Sequence, residues 1–131
     1  MWYEARLVVP AQTPATSPAQ REILIVPGTL TRVDVEFPRG CAGLVGARVF
    51  LGEQQLYPTN PDEWIRSDGQ VVSFPARHDV VTEGTRLILK AYNTDDTYEH
   101  GPTIRASVLE SSEVEIADEF AGTFPEDEEP L

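Results

Sequence analysis

Hydrophobic and polar residues alternate along several short stretches of the chain. In residues 31–37, Val33, Val35 and Phe37 alternate with three charged residues, so an extended strand would carry the apolar side chains on one face. The same alternation occurs in residues 3–9, 85–92 and 103–109. Their expected inward residues are Tyr3, Ala5, Leu7 and Val9; Leu87, Leu89 and Ala91; and Ile104, Ala106 and Val108. These patterns predict antiparallel strands with one buried and one solvated face.

Three other stretches are more continuously apolar, namely residues 22–26, 44–51 and 70–74. Such runs are typical of central strands or of strands covered on both faces, so we expect them to lie deepest. Turn signals such as Pro27-Gly28, Asp68-Gly69 and Glu83-Gly84 separate the strands. The spacing predicts an all-β, two-sheet antiparallel β-sandwich, with a jelly-roll favoured over an immunoglobulin-like arrangement.

Residues 10–20, PAQTPATSPAQ, do not fit the succession of strands and turns. Three prolines among small and polar residues predict an extended spacer with little apolar surface to pack. The spacer is either a surface loop or an arm that adds the first strand to a neighbouring subunit's sheet. The predicted organisation is therefore an N-terminal strand and arm (1–20), a sandwich (21–109) and an acidic tail (110–131).

Two large aromatic residues, Tyr57 and Trp64, stand in an otherwise polar stretch, residues 56–68. One interpretation is that both side chains fold back to cap the core. The other is that they form an exposed contact patch, because aromatic residues on ordered loops are favoured anchors of interfaces.

Charge is unevenly distributed along the 131 residues. The chain has 10 basic and 22 acidic residues, a net charge of −12, and residues 110–131 contain nine acidic and no basic residues. This balance makes nucleic acids and anionic membranes poor partners. The tail is either a solvated appendage or a docking segment for a basic neighbour, through the apolar residues Val114, Ile116, Phe120 and Phe124.

The residues available for catalysis are few. There are two histidines, one cysteine, and no HExxH, CxxC, P-loop or glycine-rich dinucleotide motif. His78 is expected to be a solvated loop imidazole, and Cys41 a small buried residue at the start of a strand. We therefore predict a protein that is not an enzyme and has no cofactor.

The most polar cluster lies at residues 93–100, NTDDTYEH. The favoured interpretation is a turn in which Asn and Asp side chains bond their own backbone. The alternative is a calcium site formed by Asp95, Asp96 and Glu99, although the EF-hand spacing and its glycine are lacking. We predict no metal site.

No apolar run approaches the 18 or so residues of a membrane helix, and the N-terminus has no secretion signal. The expectation is a protein made in the cytosol that binds no membrane. This weakens a carbohydrate-binding alternative, in which Tyr57, Trp64, Tyr92 or Tyr98 would stack on sugar rings, because such modules are usually exported.

Three segments, residues 31–46 (TRVDVEFPRGCAGLVG), 55–64 (QLYPTNPDEW) and 91–100 (AYNTDDTYEH), together resemble small β-sandwich proteins from the virion genes of tailed bacteriophages. The resemblance covers roughly residues 20–109. It implies a capsid decoration or cement protein, or a neck or tail subunit, that is made in the host cytoplasm, resides in the virion, and binds virion proteins and copies of itself. It implies no active site.

The predicted partner-binding residues come from the first strand, the aromatic stretch and the tail. They are Tyr3, Leu7, Val9, Tyr57, Trp64, Ile116, Phe120 and Phe124.

Overall fold

The computed structural model describes residues 1–110, which form nine β-strands in two antiparallel sheets. The strands are β1 (Trp2–Arg6), β2 (Ala19–Leu24), β3 (Gly28–Phe37), β4 (Val45–Leu51), β5 (Gln54–Tyr57), β6 (Ile65–Arg66), β7 (Gln70–Val80), β8 (Arg86–Asn93) and β9 (Thr103–Glu110). Within this part of the chain there is no helix long and apolar enough to cross a membrane. The prediction of an all-β protein with two antiparallel sheets is confirmed.

The strands pair in a nested order. The first sheet has the order β1-β9-β3-β7, and the second has the order β2-β8-β4-β5, with the short β6 also pairing with β4. β1 thus pairs with β9, β2 with β8, β3 with β7, and β4 with β5. The chain is therefore one long hairpin whose successive strand pairs lie alternately in the two sheets, and the β3–β9 and β4–β8 pairs join them.

The core lies between the sheets and includes all the residues that the alternation predicted to point inward except Tyr3, which is partly buried. Val33, Val35 and Phe37 are fully buried. The inward residues of β8 and β9 and of residues 5–9 are buried as well. Each of these strands has one apolar face, so only one register hides its apolar side chains from water.

Two of the three continuously apolar runs lie at sheet edges, so the prediction that they lie deepest is wrong for residues 22–26 and 70–74. β2 and β7 are edge strands. Leu24 is 58% exposed and Val71 48%, because nothing in residues 1–110 covers the outer faces of these strands. The third run, residues 44–51, forms the central strand β4 between β8 and β5, as predicted.

Residues 10–18 connect the two sheets of the same chain. Thr13 forms an isolated bridge with Asn93, and the Gln12 N–H donates to the Asp95 carbonyl at 3.0 Å. Since β1 pairs with β9, the predicted boundary at residue 20 does not separate an arm from the sandwich. The surface-loop interpretation agrees with these contacts. Of the predicted tail, Glu110 is the last residue of β9, and residues 111–131 lie outside the described part of the chain.

Candidate functional site

The outer face of the second sheet carries a group of basic and aromatic side chains. On β4 and β8 these residues alternate with the fully buried Val49, Leu89 and Ala91, which fixes the face on which they lie. β6 joins the same face through the pairing of Gly46 with Arg66. We call this surface the basic–aromatic face; it consists of Arg48, Phe50, Trp64, Arg66, Lys90 and Tyr92.

The indole of Trp64 is held between two neighbours. The Arg48 guanidinium carbon lies 3.8 Å from the centroid of the indole ring. The same ring meets Tyr92 edge to face, with centroids 4.8 Å apart and planes at 85°. The Arg48 Nε also donates to the Glu63 carbonyl at 2.9 Å, which orients the guanidinium over the ring. A cation over an aromatic face and an edge-to-face pair are both favourable electrostatically.

Tyr92 occupies the space above a glycine of the neighbouring strand. A Cβ on Gly46, which pairs with Tyr92, would overlap the phenol ring. The ring is further held by Arg66, whose Nε donates to Tyr92 Oη at 2.7 Å. The absence of a side chain at Gly46 therefore allows Tyr92 to pack flat against the sheet and support Trp64.

Replacing Gly46 with alanine is expected to displace the Tyr92 ring and destabilise the protein by about 1–3 kcal/mol, the usual cost of overpacking. Emission from Trp64, measured in a Trp2→Phe background, should shift to longer wavelength as the indole loses its Tyr92 contact. Gly52→Ala is a comparison without overlap: no atom lies within 4 Å of a Cβ there, and its φ of +61° means that only backbone strain in the turn is expected, with the Trp64 spectrum unchanged. An unchanged Trp64 spectrum in Gly46→Ala would contradict the packing role of the glycine.

The charges on the two outer faces are organised differently. On the first sheet, Arg105 contacts Glu4 at 2.8 Å and Glu36 at 2.6 Å, and Arg32 contacts Asp34 at 3.0 Å. On the second sheet, Glu22 contacts Arg86 at 3.4 Å. Within residues 1–110, no carboxylate lies within 4.0 Å of the basic groups of the basic–aromatic face, Arg48, Arg66 and Lys90. This face is therefore a positive surface on an acidic protein.

Lys90 contributes its ammonium group to this surface. Its Nζ lies 4.6 Å from the centroid of the Phe50 ring. Lys90 is also the only lysine of the chain, so its amine is a unique chemical handle on the basic–aromatic face.

A second aromatic cluster joins the edges of the two sheets. Tyr57 of β5 stacks on Phe74 of β7, with centroids 4.3 Å apart, and His78 meets the Tyr57 ring edge-on at 6.3 Å. Burial raises the pKa of the Tyr57 phenol. His78 lies within β7 rather than in a loop and is partly buried, so the expectation of a solvated loop imidazole is wrong.

The structure separates the predicted partner-binding residues into three groups. Leu7 and Val9 are 6% and 0% exposed, so the prediction that they contact a partner is wrong; they point into the core of their own sandwich. Tyr3 is partly buried, and its Oη accepts the Val26 N–H at 3.0 Å. Tyr57 and Trp64 are partly buried and pack on their own chain. Ile116, Phe120 and Phe124 lie outside the described residues.

The polar cluster at residues 93–100 is a turn held by its own side chains. Asp95 Oδ1 accepts the N–H groups of Thr97 and Tyr98 at 2.9 and 3.1 Å, and Oδ2 lies 2.9 Å from His100 Nε2. The Thr97 N–H, then His100, then the Tyr98 N–H lower the pKa of Asp95. Its oxygens are thus committed to the loop, as the favoured interpretation predicted. Among residues 1–110 there is no group of three or more His, Cys, Asp or Glu side chains that could hold a metal.

Asn93 anchors this turn to Val9, three residues after the end of β1. Its side chain is fully buried; Nδ2 donates to the Val9 and Tyr98 carbonyls at 3.2 and 2.9 Å, and Oδ1 accepts the Asp95 N–H at 2.9 Å. Val9 and His100 in turn exchange backbone hydrogen bonds of 2.8 and 3.1 Å. The cluster therefore joins three segments of the chain.

Cys41 is fully buried, as predicted, but it lies in the loop before β4 rather than at the start of a strand. Burial, with a smaller contribution from Asp68, raises the pKa of its thiol. Since the thiolate is the reactive form of cysteine, this environment suits a packing role.

The basic–aromatic face was only partly accessible to sequence analysis. Trp64 was singled out, whereas Arg48, Arg66 and Lys90 were not, because their proximity depends on the pairing of β4 with both β6 and β8. One signal was available. A glycine inside a strand, here Gly46, often marks the close approach of another group.

Comparisons with known proteins assign no family to the chain. No family model matches it, and no curated protein matches it. A solved structure described as the crystal structure of PirA is similar over 80% of this chain and 94% of its own, with a TM-score of 0.39 and 16% sequence identity. A similarity of this size assigns neither a fold family nor a function.

Proposed function

We propose that this protein is a non-enzymatic structural subunit of a bacteriophage virion, either a capsid decoration or cement protein or a neck or tail subunit, built on a jelly-roll. The observation that carries the proposal is the nested pairing of β1 with β9, β2 with β8, β3 with β7 and β4 with β5. A jelly-roll consists of eight strands in two sheets, and viral capsid domains are among its common uses. The short β6 is an addition to this plan.

The non-enzymatic part of the proposal is supported by the state of the reactive side chains. Asp95 and His100 bond each other and the loop backbone, and Cys41 is buried with a raised pKa. His78 packs against the Tyr57 ring. Each of these groups has a structural partner that explains its position.

The surface proposed to bind neighbouring virion proteins is the basic–aromatic face. It combines Trp, Tyr and Arg side chains, which are the residue types enriched at the energetic centres of interfaces. We propose this face as the contact surface in place of the predicted Leu7 and Val9, which are buried. The proposed partners are acidic surfaces of other virion proteins and of copies of this chain, because the face is positive and lacks carboxylate partners within the described residues.

A carbohydrate-binding role is less well supported. Stacking on a sugar requires an open aromatic face, whereas Phe74 covers one face of Tyr57 and the Arg48 guanidinium covers one face of Trp64. Tyr98 is 68% exposed but stands alone in its turn.

The proposal is tested on purified virus particles. We expect the protein to sediment with particles in a density gradient at a fixed ratio to the major capsid protein, and gold-labelled antibody to mark one defined part of the particle. Complementation with Arg48→Glu plus Arg66→Glu should strongly reduce incorporation. The control is Arg77→Glu, because Arg77 is exposed on the outer face of the first sheet. This variant should incorporate normally. Protein found only in the unassembled fraction would refute a virion role.

A further inference from the structure

The described part of the chain ends at the end of the sandwich where β8 begins, although β9 belongs to the first sheet and the basic–aromatic face to the second. Glu110, at the end of β9, pairs with Gly28 at the start of β3. Only residues 25–27 separate Gly28 from Leu24, which pairs with Arg86 at the start of β8. Glu110 therefore lies at the end of the sandwich where Arg86 lies, and β8 runs from there toward Lys90 and Tyr92.

The composition of residues 111–131 complements this face. The segment contains eight acidic and no basic residues, together with Val114, Ile116, Phe120 and Phe124. The face has three basic side chains with no carboxylate within 4.0 Å among residues 1–110, and three aromatic rings beside them. The outer face of the first sheet is a poorer match because two of its basic residues, Arg105 and Arg32, already contact acidic side chains. Only Arg6 and Arg77 have no such contact there within residues 1–110.

The length of residues 111–131 is also sufficient for them to reach along the basic–aromatic face. From Arg86 to Tyr92, six strand residues span about 20 Å at roughly 3.3 Å each. The ten residues from Glu110 to Phe120 reach about 33 Å when extended. Passing from the first sheet to the second adds about 10 Å, and the 21 residues 111–131 reach about 70 Å when extended. The segment is thus long enough to cross the edge of the sandwich and follow the whole face.

We propose that residues 111–131 dock on the basic–aromatic face of their own subunit. Attachment through Glu110 gives the segment an effective concentration of the order of millimolar, which favours its own subunit over a second copy in dilute solution. Docking pairs the acidic residues with Arg48, Arg66 and Lys90. This inference rests on the proposed function in that it concerns the same face that is proposed to contact virion proteins.

The test uses Lys90, the only lysine, in the full-length protein. A carbodiimide joins an amine to a carboxylate only when the two are in contact, and peptide mapping separates products of Lys90 from those of the N-terminal amine, which contacts the Val108 carbonyl at 2.7 Å. In dilute protein at low salt, peptide mapping of the monomer should find Lys90 joined to acidic residues within 113–129. The yield should fall severalfold at about 1 M salt, where charge interactions are screened within about 3 Å.

Variants locate the docking surface. Arg48→Glu plus Arg66→Glu should abolish the cross-link, whereas Arg77→Glu makes the same change of charge per residue on the other sheet and should retain it. The salt comparison needs no variant, so it remains decisive if the double variant does not fold.

Three results would overturn the proposal. The first is coupling of Lys90 to Glu22 alone or to no residue, the second is an equal yield at both salts, and the third is a cross-link that joins isotopically labelled to unlabelled copies. This experiment does not depend on virus particles. A wild-type protein that is incorporated normally but gives no cross-link would refute docking alone, and one that gives the cross-link but is never incorporated would refute the virion role alone.

Discussion

Replacing Phe37 with alanine is expected to lower the free energy of unfolding by about 3–5 kcal/mol, the largest loss we expect from one side chain in this protein. Phe37 ends β3, and its ring is fully buried between the sheets. Truncation removes the buried ring and leaves a cavity that close-packed neighbours fill only in part. Because domains of this size are stable by only about 5–15 kcal/mol, a large share of the total would be lost.

Urea unfolding followed by circular dichroism measures this loss. Val71→Ala is the control, since Val71 lies on the adjacent β7 and is 48% exposed. That change should alter stability by no more than about 0.5 kcal/mol. Equal midpoints for the two variants would show that Phe37 does not belong to the core.

Replacing Asn93 with alanine is expected to cost about 2–4 kcal/mol, because an orphaned buried polar group costs about 1–3 kcal/mol. The change leaves the Tyr98 carbonyl and the Asp95 N–H without their present partner. The Val9 carbonyl keeps the His100 N–H as a donor. The turn at residues 93–100 should therefore loosen from the segment around Val9.

Hydrogen exchange separates this effect from a general loss of stability. The amides of Val9 and His100, which bond each other's carbonyls, should exchange faster in Asn93→Ala than amides in the centre of β4. Asn60→Ala is the matched control, because Asn60 is exposed and its backbone carbonyl, which accepts bonds from Glu63 and Gln55, is unchanged. Uniform acceleration across both sheets would argue against a local anchoring role.

The sequence predicted the strands whose two faces differ. β3, β8 and β9 have a clear alternation of apolar and polar residues, and each has its apolar residues in the core. The alternation determines which face is buried without reference to the rest of the fold. That is why the inward residues could be named from local sequence alone.

The position of a strand within its sheet could not be predicted in the same way. Residues 22–26 and 70–74 are as apolar as residues 44–51, yet only the last run forms a central strand. A run of apolar residues indicates how much apolar surface favours burial, but it does not indicate where in the sheet the strand lies. Which neighbours cover that surface depends on pairing between distant parts of the chain, as with Leu24 and Arg86.

The candidate site was likewise predictable only where residue type or local sequence determines it, and not where it depends on pairing between distant strands. Trp64 and the turn at residues 93–100 stood out by residue type, and the turn has the bonding that its Asn and Asp residues predicted. The basic side chains near Trp64 did not stand out in the sequence, because arginines occur throughout the chain. Only the register that places Gly46 beside both Arg66 and Tyr92 brings them together.

The place of β9 between β1 and β3 has a consequence for biosynthesis. β9 follows every other described strand in the chain, so during translation β1 has no neighbour to bond, and β3 has one free side, until residues 103–110 emerge from the ribosome. The first sheet therefore closes late, by insertion of a strand between two that are already made. Until then, the edges of β1 and β3 that later bond β9 are unpaired. Chaperones that bind unpaired strand edges are therefore expected to act mainly before β9 is inserted.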